Sequence, residues 1–188
     1  MKLQAGSFLL VLAFVTPSTL PAATIYTATL LASNEVPPTG TSATGFAVVT
    51  LTGDMLSVNE SYSGLVVPAA AAHIHCCGPV GTNQPVAVPF PNFPAATSGT
   101  YMQTFDLTLA TTYTMAFITA SGGTAAAAEA ALIAGLNGGQ TYVNIHNSQF
   151  PGGEIRGQLV MIPEPATFAL GAVGLLAVAL RRRQSRHS

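Results

Sequence analysis

Between Thr24 and Ile162 this chain has no lysine, and its only cation is Arg156. Against it stand Glu35, Asp54, Glu60, Asp106, Glu129 and Glu154, so six negative charges and one positive leave a net −5. A protein that grips nucleic acid needs basic side chains to replace the counterions on phosphates, and this stretch cannot supply them. The same scarcity makes anionic membranes and anionic polysaccharides poor partners, and points to a neutral or cationic one. Cysteine is nearly as rare. Cys76 and Cys77 are the only two, so within the chain each has just the other to pair with. A vicinal disulfide, two inert thiols, metal ligation and an intermolecular bridge all stay open at this point. Glycine-rich nucleotide loops, zinc-protease helices and nucleophile elbows are absent.

Long apolar runs occur only at the two ends. Lys2 precedes Phe8–Val15, followed by Pro17, Pro21, Ala22 and Ala23, the pattern of a secretory signal peptide over residues 1–23. At the other end, Pro163-Glu164-Pro165 leads into the apolar run Ala166–Leu180 and then Arg181-Arg182-Arg183. As a helix that run rises about 22 Å against a hydrocarbon core of roughly 30 Å, short for a permanent anchor. The arginines belong on the cytoplasmic side, which leaves everything before Pro163 outside. This tail, residues 163–188, resembles the PEP-CTERM sorting signal of Gram-negative bacteria that make exopolysaccharide. The resemblance implies an exosortase as partner, a transient stay in the inner membrane, and delivery to the cell surface or matrix and hence to biofilm.

The middle segment, 24–162, reads as strands. Ile25–Leu31 is rich in β-formers. Phe46–Thr52 and Met55–Tyr62 flank Gly53-Asp54 as a hairpin. Further strands fit Ala71–His75, Tyr101–Leu109, Thr141–His146 and Ile155–Met161, with a short edge strand at Val86–Val88 in a proline-rich excursion. The alanine run Thr124–Leu136 is the one helix of note, capped by Thr124 and closed by Gly138-Gly139. Short strands between turns indicate an all-β antiparallel sandwich or barrel.

Histidine is confined to two places in this segment: Ala72-His73-Ile74-His75 and Tyr142-Val143-Asn144-Ile145-His146. Alternation puts His73 and His75 on one strand face and Ile74 on the other, while His146 shares a face with Asn144 and Tyr142. Adjacent strands would bring the three imidazoles together. Two readings follow. The histidines hydrogen-bond loop backbone and fix the fold, the preferred reading, or they hold copper or zinc. A His-x-His strand with a distant third histidine resembles the copper site of Cu/Zn superoxide dismutase, although that family adds further histidines and an aspartate. Arg156 and Glu154 share a strand face, and Arg156 is expected to pair with a carboxylate.

Four stretches in order resemble the CHRD domain: Glu35-Val36-Pro37-Pro38, Ala43-Thr44-Gly45, Ala71–His75, and Tyr142–His146 followed by Phe150–Leu159. The family implies an immunoglobulin-like Greek-key β-sandwich and no established enzymatic activity. The expectation is therefore an exported, non-enzymatic surface or matrix interaction module with no cofactor and an unidentified extracellular partner. The alternative is a metal-binding protein, a copper oxidoreductase among the candidates.

Overall fold

The computed structural model of the protein describes residues 21–163. The expected signal peptide as far as residue 20, the expected C-terminal hydrophobic helix, and Glu164, Pro165, Arg181, Arg182 and Arg183 lie outside the described residues. No helix among the described residues is long and apolar enough to cross a membrane.

The first three strands form a meander: β1 (Ala23–Leu31), β2 (Thr44–Thr52) and β3 (Met55–Ser63). Residue alternation is sharpest in β3, which buries Leu56, Val58, Glu60 and Tyr62 and exposes the residues between them. Gly53 takes φ +57° in the tight turn between β2 and β3, a conformation that costs glycine little. The chain then crosses to β4 (Ala69–Cys76) and β5 (Val86–Pro89) and returns to pair β6 (Gly99–Asp106) with β3. Two helices follow, α1 (Met115–Ala120) and α2 (Ala125–Asn137). Then come β7 (Thr141–Asn147), β8 (Ile155–Gln158) and β9 (Val160–Ile162).

All pairs are antiparallel, in the order β5-β4-β7-β8-β1-β2-β3-β6, with β9 also on β1. The expected antiparallel all-β architecture is present, in the form of one curled sheet. β1 hydrogen-bonds β2 along one edge and β8 and β9 along the other, so a single nine-stranded sheet results. The sheet is curled: Phe90, just past β5 at one end of the order, stacks on Tyr101 and Phe105 of β6 at the other. The ring centroids are 5.1 and 5.9 Å apart.

The expected strand Ile155–Met161 is broken at Leu159, whose N–H bonds Thr141 O as the chain shifts from β7 to β1. Gly157 makes the crossing fit, because a Cβ there would stand 2.7 Å from Thr29 O. The single expected helix is α2, started by the Thr124 hydroxyl accepting from Ala127 N, but α1 is a second. Ala128, Leu132 and Leu136 of α2 are buried with Leu30, Leu56, Ile74, Val143 and Ile155 in one core. Tyr26 is tied to the end of α2 by its hydroxyl, which donates to Asn137 Oδ1 at 2.6 Å.

Candidate metal centre

β4 and β7 are neighbours, and their register explains the grouping of the histidines. Ile74 faces Val143, and both are fully buried in the core with Ile145. On the opposite face His75 stands across from Tyr142, His73 across from Asn144, and His146 diagonally from His73. Side chains two residues apart across an antiparallel pair are within reach of rings. One nitrogen from each of the three histidines lies within 4.8 Å of the others. The ring centroids are 4.8 Å apart for His73 and His146, 5.6 Å for His73 and His75, and 5.9 Å for His75 and His146.

This face is only partly open to water. The 77–85 loop and the 148–153 turn cover it, so His75 is buried and the other two are half-buried. Each covering segment is pinned by an imidazole. His75 Nδ1 lies 2.7 Å from Gln84 O, and His146 Nδ1 lies 3.0 Å from Pro151 O. A carbonyl only accepts, so both Nδ1 atoms carry the proton, and in the neutral ring each Nε2 keeps a bare lone pair. His75 Nε2 and His73 Nδ1 are buried with no hydrogen-bond partner. Burial, then the neighbouring imidazoles, push the His73 pKa down to about 4. Burial also takes His75 down to about 4, against the Gln84 carbonyl, and lowers that of His146 against the Pro151 carbonyl. All three favour the neutral form, the one that coordinates metals.

An ion with bonds of about 2.0–2.1 Å draws its ligand nitrogens to within about 4 Å of one another, so closing on it asks for movements of around an ångström. The donor set fits a transition metal. His75 stacks face to face on Tyr142, with centroids 4.7 Å apart and planes 3° from parallel, and Arg156 Cζ lies 3.8 Å from the Tyr142 centroid.

Arg156 does not pair with Glu154. Its guanidinium donates to Asn83 Oδ1 at 2.8 Å and Thr82 O at 3.1 Å, which further anchors the covering loop. Glu154 is turned away, accepting from Val66 N and from the Asn147 amide. The carboxylate beside Arg156 is Glu35. Burial raises its pKa to about 7, while the Arg156 charge, the Asn144 amide and the Val36 N–H hold it down. Cys76 and Cys77, directly after His75, are joined in a disulfide whose sulfurs pack where a Cβ on Gly135 of α2 would stand. They are not among the grouped nitrogen ligands.

Sequence reasoning grouped the histidines but missed Glu35, Gln84 and Pro151, which act on the site from loops. Asn144 was placed on the correct face without a role. The signal for it was present: a buried amide at i−2 from a histidine on one strand faces the same space.

Comparison with protein families matches the CHRD domain over residues 26–159 and the PEP-CTERM protein-sorting motif over residues 162–183. No curated protein and no solved structure matches the chain. The sorting motif implies export, recognition by an exosortase and sorting to the cell surface. With its domain matched over most of its length, the chain belongs to the CHRD domain family.

Proposed function

We propose that this exported protein carries a transition-metal ion, copper in first place, on His73, His75 and His146, and presents it at the cell surface or in the matrix. The observation that carries this reading is the state of the three imidazoles. Two have their tautomer set by backbone carbonyls so that Nε2 is bare, and the third buries an unpartnered Nδ1 beside them. Burying the unpartnered His75 Nε2 and His73 Nδ1 costs about 1–3 kcal/mol each, a cost that an ion bound among them would offset. An all-imidazole donor set suits copper, zinc, iron and nickel, and affinity across that series peaks at Cu(II).

Hydrogen bonding to loop backbone and metal binding are then not competing roles. His75 and His146 use Nδ1 for the fold and keep Nε2 for the ion, an arrangement common among metal-ligating histidines. The domain retains its place as a surface or matrix module, with the metal as the feature it presents. No reaction is assigned to it.

The test is copper and zinc titration of the exported, chelator-treated protein. One copper ion per chain is expected, bound more tightly than zinc, and lost in His73→Ala, His75→Ala and His146→Ala alike. Retention of copper by all three variants, or no stoichiometric uptake by the unaltered protein, would overturn the reading.

A further inference from the structure

His146 presents an unresolved contact. Its Nδ1 must donate to Pro151 O, so the neutral ring has a bare lone pair on Nε2. That nitrogen lies 2.8 Å from Asn144 Oδ1. The orientation of the Asn144 amide is set by its other end, where Nδ2 donates to Gly152 O at 3.4 Å. Glu35 Oε1 stands at the same end, both atoms crowding the space that a Cβ on Gly153 would need. The Gly152 carbonyl can only accept, which places the amide nitrogen there and leaves the amide oxygen facing His146. Two lone pairs thus confront each other at 2.8 Å in a part-buried contact. Such a pair is stable only around a shared cation.

Resting on the metal reading above, we infer that Asn144 Oδ1 is the fourth ligand of the ion, completing a set of three imidazole nitrogens and one amide oxygen. The spacing fits. Two bonds of about 2.0–2.1 Å meeting at a right angle hold their donor atoms about 2.9 Å apart. Neighbouring ligands in a tetragonal field have this relation, and nitrogen and oxygen donors in that geometry are the preference of Cu(II). Asn144 is itself buried and stands opposite His73 in the β4–β7 register, so its amide belongs to the same face as all three rings. His73 Nδ1 and His75 Nε2, both without partners, supply the remaining donors. The Gly152 carbonyl is a positioning group: it holds the amide nitrogen and thereby aims the oxygen.

Cu(II) alone is the probe, added to the exported protein after metal removal, and read by affinity and by electron paramagnetic resonance in water enriched in oxygen-17. Asn144→Leu removes the oxygen. It is expected to weaken Cu(II) binding tenfold or more and to admit an equatorial water that broadens the copper signal, absent from the unaltered protein. Asn144→Asp keeps an oxygen and adds a charge, and is expected to tighten binding at least tenfold without that broadening. Unchanged affinity and spectrum in Asn144→Leu, or no tightening in Asn144→Asp, overturns the assignment while leaving the histidine site intact. If the unaltered protein takes up no copper, the histidine site itself fails and the fourth ligand with it.

Discussion

At the residue scale the three histidines are unequal, and metal-free stability separates them. His75 satisfies the part-buried Gln84 carbonyl through Nδ1, whereas His73 makes no hydrogen bond with its buried Nδ1. His75→Ala should cost the metal-free protein about 1–3 kcal/mol, with part of that recovered by the Tyr142 hydroxyl near the same carbonyl. His73→Ala should cost clearly less, since it deletes an unpartnered group. Denaturant midpoints in the presence of a chelator measure both, and equal losses would contradict this division of labour. Glu60 is a different kind of residue. It is fully buried, neither carboxylate oxygen has a partner, and burial raises its pKa to about 8. The folded state therefore keeps a proton that the unfolded chain releases near pH 4.5. Its contribution is at its most favourable below about 4.5, declines as pH rises, and is lost once the pH has passed through about 8. Glu60→Gln removes this dependence and should stabilise the protein by about 3 kcal/mol at pH 8 relative to pH 5. Parallel stability curves for the two proteins between pH 5 and 8 would refute it. The inward position of Glu60 was legible from the alternation Leu56, Val58, Glu60, Tyr62, whereas its lack of a partner is a property of the packed core.

At the scale of the elements, the local signals read well and the non-local ones did not. The Gly53-Asp54 hairpin, the Thr124 cap and the edge strand at Val86 depend on neighbours in the chain, and all are found close to where the residues place them. β6 stops three residues before the expected Leu109. Asp106 Oδ1 accepts from both Thr108 N and its hydroxyl, and this side-chain turn ends the strand. α1 was missed because Phe117, Ile118 and Thr119 favour strands in isolation; the Thr114 hydroxyl starts the helix and burial of Phe117 and Ile118 retains it. The joining of two sheets into one turns on β1, whose second edge meets residues more than 100 positions away, and no local pattern records that. The contact rests on Gly157. Gly157→Ala sets a methyl against the Thr29 carbonyl and should cost about 1–3 kcal/mol by prising β8 from β1. Chemical denaturation checks this, and an unchanged midpoint would mean that the two strands part without cost.

For the whole molecule, the described domain ends at Ile162 and Pro163, where the sorting motif begins. Processing near that boundary should yield a surface species that starts near Thr24 and lacks Arg181–Arg183. Intact mass of the surface-exposed protein decides it, and a surface form that retains the arginines would remove the sorting reading. The histidine cluster was legible because strand alternation and one pairing suffice to build it. Glu35 was not, since it comes to Asn144 from a loop more than 100 residues away along the chain.

The ligands of the proposed ion come from two strands separated by some seventy residues, with β5, β6 and both helices between them in sequence. An extended chain would therefore offer these ligands only as two separated pairs, His73 with His75 and Asn144 with His146, each a weak chelate. The full set exists only after β4 and β7 have paired. On the proposed reading, metal choice would then wait until β4 and β7 have paired, and would fall among the ions present where the protein folds.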